Sequence, residues 1–285
     1  MALQGSGAIK LSEIQTEFGG SNPISMSEYY RNGTYVPSNN TDVPTSGEIS
    51  MSDFYNGVAA TVLTIATNAT EYNILTQAVA AGFNNSVGGV IQVTVNSGVT
   101  VGASTTHAMQ TGALHASTTL TITNNGIIQG YDGAAGTTQS SPGVAGGSGG
   151  TPGQAIEVNV ASGASVTVTN ASGATIQSGR GGPGGGGGPG KGGYRDDPEG
   201  KGEACYYYVT GSSGAAGAQA AYGAVGNAGA AGSHHATYDA AQCGLSGAGT
   251  NPGAGGAGSA AAKAINYGSH SVTLNNSGTI NGATS

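Results

Sequence analysis

The densest grouping of chemically distinctive side chains in this sequence is the stretch Lys191 to Tyr208. It holds seven of the chain's 21 charged residues, with Tyr194, Arg195 and the run Tyr206, Tyr207, Tyr208. A second grouping, His234 to Cys243, carries His234, His235 and Tyr238. Tyrosine, arginine and histidine combine contact area with polar contacts, the combination favoured where one molecule recognises another. These eight residues are the candidate recognition set. The plainer alternative is that Tyr206 to Tyr208 plug a local gap and the charges solvate a loop.

The chain has two cysteines, Cys205 and Cys243, one in each grouping. A disulfide between them would join the two groupings into one patch and stabilise the chain by about 2–4 kcal/mol. Two free cysteines acting as small core residues remain the alternative. A His pair without placed acids does not make a metal site. Gly185 to Lys191 imitates a phosphate loop, but Gly192 stands where the hydroxyl residue belongs. No catalytic triad or paired-carboxylate arrangement is visible, so the sequence implies neither an enzyme nor a cofactor.

Composition explains why those groupings stand out. Glycine is 55 of 285 residues and charged residues are only 7%. Disordered chains pair low hydrophobicity with high charge, whereas this one has low charge and regular Val/Ile/Thr segments. The net charge is −7 with no basic stripe, which argues against a nucleic-acid partner. The apolar stretch near Val58 to Ala66 is too short to span a bilayer. Met1 to Ser6 has no features of a secretion signal, so synthesis in a cytoplasm is expected.

Three regions follow. In residues 1–57 the phrase Ile9-Lys10-Leu11-Ser12-Glu13-Ile14 returns as Ile24-Ser25-Met26-Ser27-Glu28-Tyr29 and as Ile49-Ser50-Met51-Ser52-Asp53-Phe54. Ser12, Ser27 and Ser52 are expected to cap short helical turns. Three such turns are expected to bury little core of their own and to dock on another protein. Residues 58–129 suggest a β-rich domain with one helix over 71–82. Its strand–turn–strand unit, Val90 to Val101, returns at Leu120 to Gly130, Val166 to Gln177 and Val272 to Gly282. Asn and Gly there supply the positive φ of tight turns. Ala155-Ile156 and Ala264-Ile265 suggest two additional short strands.

Residues 130–285 interleave these units with glycine tracts. The run from Gly179 to Gly193 has eleven glycines in fifteen residues, and elsewhere glycine recurs every third position, as at Gly130, Gly133 and Gly136. An extended left-handed helix has roughly three residues per turn and rises ~3.1 Å per residue. Glycine at every third position bares one face, so that neighbouring backbones can hydrogen-bond directly. Several such helices, packed within one chain, are expected.

The phrases Thr121-Ile122-Thr123-Asn124-Asn125-Gly126-Ile127-Ile128 and Asn276-Ser277-Gly278-Thr279-Ile280-Asn281-Gly282, bounding glycine tracts, resemble the tail-fibre tip adhesins of T-even-like bacteriophages. The resemblance covers about residues 85–285. It implies packed polyglycine-II-type helices with distal loops that contact the host receptor. Separately, Gly19 to Tyr30 resembles a segment at the start of many phage tail and virion proteins, which the adhesin pattern lacks.

The fold expected is therefore mostly β and irregular: a short N-terminal capped-turn module, a β-rich middle domain, then polyglycine-II-type helices interleaved with short strands. The expected function is a non-enzymatic virion tail or fibre-tip protein that binds an outer-membrane protein or surface glycan of the host. Residues 1–57 would attach it to other tail or fibre proteins. A purely architectural role in baseplate, collar or capsid decoration is the alternative.

Overall fold

The computed structural model describes residues 3–31, 33–36, 40–81, 83, 85–86, 88–189, 212–231, 233 and 252–285. Residues 3–57 form a small unit of helix α1 (Leu11–Phe18) and two 3-10 turns, Met26–Tyr29 and Met51–Phe54. The caps lie two residues before the serines expected from sequence, at Lys10, Ser25 and Ser50. The acid of each repeat sets that position. Glu13, Glu28 and Asp53 reach back three residues to accept the cap N–H at 2.8, 3.2 and 2.8 Å, the reciprocal half of a capping box. In two repeats the downstream serine instead pairs with the cap hydroxyl, Ser27 with Ser25 and Ser52 with Ser50.

This unit buries a core of its own, contrary to expectation: Ile9, Ile14, Phe18, Tyr29, Val36, Val43 and Phe54. Each repeat ends on a large side chain aimed at one centre, where Phe54 packs edge-on against Phe18 and Tyr29 at 6.0 and 6.3 Å. The join to the next unit is clasped by side chains. Asn40 bonds both N–H and C=O of Val58, and Glu17 accepts from the Ala59 N–H.

From residue 60 the chain winds through five coils, each contributing one strand to each of three parallel sheets. The first coil is β1 (Ala60–Ile65), β2 (Ala69–Thr70) and β3 (Tyr72–Asn73), followed by α2 (Ile74–Ala80). The second is β4 (Gly89–Val95), β5 (Thr100–Gly102) and β6 (His107–Gln110). The third is β7 (Thr118–Asn124), β8 (Ile127–Gln129) and β9 (Gln154–Glu157). The fourth is β10 (Ser165–Asn170), β11 (Thr175–Gln177) and β12 (Lys263–Asn266). The fifth is β13 (Val272–Asn276), β14 (Thr279–Asn281) and β15 (Ala283–Thr284). β9 and β12 are the short strands expected at Ala155-Ile156 and Ala264-Ile265. The helix expected over 71–82 is confined to α2, because Tyr72–Asn73 pairs with β6 as strand and Asn73 caps the helix.

Alternation along each long strand turns one side inward. Leu63, Val93, Ile122, Val168 and Leu274 stack in register through the coils, and the core they belong to runs from Leu63 to Ile265. Composition suggests a boundary after residue 129, but the three sheets continue across it. The repeated asparagines do more than turn the chain. Asn124 donates its amide to Asn170 Oδ1, and Asn170 to Asn276 Oδ1, both at 2.9 Å, a buried ladder along the coils. Nor does Gly126 serve positive φ; a Cβ there would sit 2.3 Å from the Val99 carbonyl oxygen.

The glycine tracts leave this solenoid twice, between β8 and β9 and between β11 and β12. Backbone N–H groups of residues 130, 133, 136 and 139 donate to carbonyls of 177, 180, 183 and 186. Those of 179, 182, 185 and 188 donate to 153, 150, 147 and 144. Segment 179–188 is thus surrounded, among the described residues, by five extended segments: 130–139, 144–153, 214–217, 224–230 and 253–259, each joined to it by backbone hydrogen bonds. Residues 181–189 are all buried. A Cβ on Gly133 would lie 1.9 Å from the Gly150 oxygen, so the approach excludes any side chain there.

Candidate functional site

The candidate residues Tyr194, Arg195, Cys205, Tyr206, Tyr207, Tyr208, His234, His235, Tyr238 and Cys243 all lie outside the described residues. The structure does fix the points between which they are strung. Pro189 and Ser212 flank the first stretch; Ser233 and Pro252 flank the second. Gly188 donates to Val144 O at 2.8 Å, and Gly143 to Pro189 O at 2.9 Å. Gly253 donates to Gly188 O at 2.9 Å, and Ser233 to Ser212 O at 2.8 Å. Ser213 Oγ donates to Gln139 O at 2.8 Å. All four flanking points therefore gather at one end of the glycine scaffold, beside the turn over residues 139–144.

That turn does not stand out in the sequence. Ser140, Ser141, Pro142 and Gly143 are exposed, Gly143 at φ 73°, and Val144 is 42% exposed. Its signal, Ser-Ser-Pro-Gly, is a turn phrase but is written in the same residues as the scaffold around it. The described surface of this end carries hydroxyls and amides, from Thr137, Thr138, Gln139, Ser212, Ser213 and Ser233.

The opposite end is anchored to the solenoid. At ~3.1 Å per residue, nine residues from 130 to 139 place the two ends on the order of 28 Å apart. Arg180 grips Asp132 there with its Nε at 2.9 Å and its Nη2, while its backbone N–H donates to the other carboxylate oxygen at 2.8 Å. Burial pushes the Asp132 pKa up, but the hydrogen bonds and charge of Arg180 outweigh this and hold the carboxyl below its ordinary range. Arg180 also lies over the Tyr222 ring at 5.0 Å. Tyr222 accepts from Gln129, the first rung of an amide ladder Gln129–Gln177–Asn281 across β8, β11 and β14.

Elsewhere a carboxylate organises a corner of the solenoid. Glu71 Oε1 accepts from the hydroxyl and N–H of both Thr105 and Ser104. The Thr105 hydroxyl, then that of Ser104, hold its pKa down at about 2. A cavity of about 200 Å³ beside the join to the solenoid is lined by Asn40, Asp42, Asp53 and Tyr55 among others. Among the described residues no group of three or more His, Cys, Asp and Glu side chains is placed to hold a metal ion.

The solenoid and its glycine scaffold lie within the span that a known family matches. The family described as phage tail fibre adhesin Gp38 matches residues 60–285, from the first solenoid strand to the end of the sequence. The chain belongs to this family, and a tail fibre adhesin is a component of the virion. Among solved structures, the gp37-gp38 adhesin tip complex of the bacteriophage S16 long tail fiber is similar, at 16% identity and a TM-score of 0.37 over 87% of this chain and 91% of that one. No curated protein matches the chain.

Proposed function

We propose that this chain is a non-enzymatic tail-fibre tip protein that binds the host bacterial surface through the far end of its glycine scaffold. One observation carries the reading: both stretches rich in Tyr, Arg and His begin and end there, beside the exposed turn over 139–144. On this reading the scaffold is a lattice of polyglycine-II-type helices, supported by hydrogen-bond donors at every third residue. The buried segment 181–189 at the centre of this lattice has only glycine and proline to offer a partner. The lattice holds the loop ends in place, which limits the ordering entropy that binding must overcome. Tyr194, Arg195, Tyr206, Tyr207, Tyr208, His234, His235 and Tyr238 are the contact residues proposed, toward an outer-membrane protein or surface glycan. Residues 1–57, with their own core and outside the family match, are proposed to dock on other tail or fibre proteins during assembly in the host cytoplasm.

The test is adsorption. Replacing Tyr206, Tyr207 and Tyr208 with Ala should leave thermal unfolding and incorporation into particles unchanged and slow adsorption to host cells by at least about tenfold. Adsorption at the parent rate would move the assignment to the architectural role.

A further inference from the structure

Residues 212–231 run from the scaffold's far end to the solenoid and back. One half leads down from the first candidate stretch and the other leads up into the second. On the way down, Gly214 and Gly217 donate to the carbonyls of Gly187 and Gly184; on the way back, the carbonyls of Ala224, Asn227 and Ala230 accept from Gly181, Gly184 and Gly187. These bonds recur every three residues, and so do the glycines 223, 226, 229 and 232. Moving the whole loop away from the solenoid by one period, about 9 Å, would offer Gly181, Gly184 and Gly187 the carbonyls of Ala221, Ala224 and Asn227. Gly223 and Gly226 would then enter the close-packed places of Gly226 and Gly229. Movement the other way is blocked, because Gly223 already lies against the Asn281–Gly282 backbone, where a Cβ would be 2.4 Å from the Gly282 nitrogen. Glycine-rich pairings specify register weakly, and the periodic backbone bonds do not choose between these two placements.

We infer that Tyr222 is the pin that sets this register, and through it the height of the tip. Tyr222 stands at the turn of the loop nearest the solenoid, and its contacts do not repeat. The Arg180 guanidinium lies over its ring at 5.0 Å, an attraction that needs that one ring in that one place. Arg180 is itself fixed by the Asp132 carboxylate, which accepts from its Nε and Nη2, and it forms a backbone bridge with Tyr222. The Tyr222 hydroxyl accepts from Gln129 of β8 at 3.3 Å, and Gln129 is held from β11 by Gln177 at 2.8 Å. In the displaced register the ring leaves Arg180 and the hydroxyl leaves Gln129, with no residue of the loop to replace them. The loop's other side-chain ties to neighbouring segments are single neutral bonds, from Ser213 to Gln139 O at 2.8 Å and from Gln219 to Gly181 O at 3.5 Å. Displacement would carry Ser212 and Ser233, and with them an end of each candidate stretch, about 9 Å beyond the turn over 139–144. Tyr222 is thus a positioning residue for the tip; its effect on adsorption rests on the function proposed above, and its effect on register does not.

The experiment reads the register of the full chain by pulsed electron resonance. Nitroxide-bearing noncanonical residues replace Ala134, near the solenoid, and Ala231, near the far end, both exposed; the cysteines are left untouched. The parent should give one distance. Tyr222→Ala should add a second, longer by up to one period, about 9 Å. Arg180→Gln, which removes the cation over the ring, should add the same second distance, and serves should Tyr222→Ala fail to fold. Tyr222→Phe keeps the ring under Arg180 and should hold the parent distance. A side chain that merely supported the loop would widen the parent distance or lower the Tm without adding another. A single distance, unchanged or widened, in both Tyr222→Ala and Arg180→Gln would overturn the inference, as would two distances in the parent. Adsorption of particles carrying the same variants should slow as the displaced population grows. A displaced register with adsorption at the parent rate would count against the proposed tip and leave the pin standing.

Discussion

Gly185 sits in the middle of the buried scaffold segment, and Gly185→Ala tests whether that scaffold is held by backbone contact. A Cβ at this position would lie 2.0 Å from the Thr137 carbonyl oxygen and 2.3 Å from its carbon. Backbone atoms cannot rotate aside as a side chain can, so the two segments must separate by about 1.5 Å to reach ordinary contact. The bonds at stake are Gly185 N–H to Gly147 O and Gly147 N–H to Thr137 O, both 2.8 Å, with Gln139 N–H to Gly186 O at 3.0 Å. A shift of that size stretches them beyond hydrogen-bonding range. Leaving two or three buried groups unsatisfied at about 1–3 kcal/mol each gives a loss of roughly 2–9 kcal/mol. At about 2 °C per kcal/mol for a chain of this size, that corresponds to a fall in Tm of roughly 4–18 °C. Calorimetry of the purified variant measures it, with exposed Ala135→Ser in the same scaffold as a control expected within about 0.5 kcal/mol of the parent. A Gly185→Ala protein that unfolds within a degree of the parent would refute the close-packed arrangement.

Asn170→Ala should cost about 1.5–4.5 kcal/mol, since it removes three hydrogen bonds of a buried side chain, to Asn124, Asn276 and Thr279 O, each worth about 0.5–1.5 kcal/mol net; urea unfolding should show the loss, and Asn276→Ala, at the exposed end, should lose less. Because the Glu71 pKa is lowered on folding, its contribution is present above the ordinary carboxylate range and is lost as pH falls toward about 2,. Amide exchange at Ser104 and Thr105 should therefore stay slow near pH 4 and speed up on Glu71→Gln, whereas unchanged protection would rule out the carboxylate as the clamp. Removing residues 1–57 should leave the rest folded, as the solenoid core contains none of them, and should abolish incorporation into particles; a truncated protein that still assembles would place the docking surface elsewhere.

The coils are partly legible in the sequence because each long strand repeats a period-two phrase. In Thr121-Ile122-Thr123-Asn124 and Val166-Thr167-Val168-Thr169-Asn170 the alternation alone shows which residues face inward. What the phrase does not encode is its partner: β7 and β10 pair in parallel although 46 residues separate Asn124 from Asn170. The two-residue strands β2 and β3 have no period to detect, so the first coil reads as a loop and a helix start. At the N-terminus the aromatics Phe18, Tyr29 and Phe54 are visible, but their convergence depends on how three turns fold together, which spacing alone does not convey. The scaffold's far end is legible only where its composition changes. The charged and tyrosine-rich stretches stand out against glycine, whereas the Ser-Ser-Pro-Gly turn at 140–143 blends into it.

The placement of the scaffold inside two coils also bears on how the chain reaches its fold. The second coil closes from neighbouring residues, but β12 follows β11 only after 85 intervening residues, 178–262. Loop-closure entropy rises slowly with length, so the excursion adds little to the final stability. It adds delay, because non-local parallel pairing is slow and leaves an unpaired edge exposed meanwhile. During synthesis the first two coils and the N-terminal unit emerge able to fold at once, and β9 then finds β6 already in place as a template. The fourth coil must wait for the entire glycine lattice to emerge before its last strand arrives. The interval in which β10 and β11 stand without β12 is the point at which this chain is most exposed to pairing with the wrong partner.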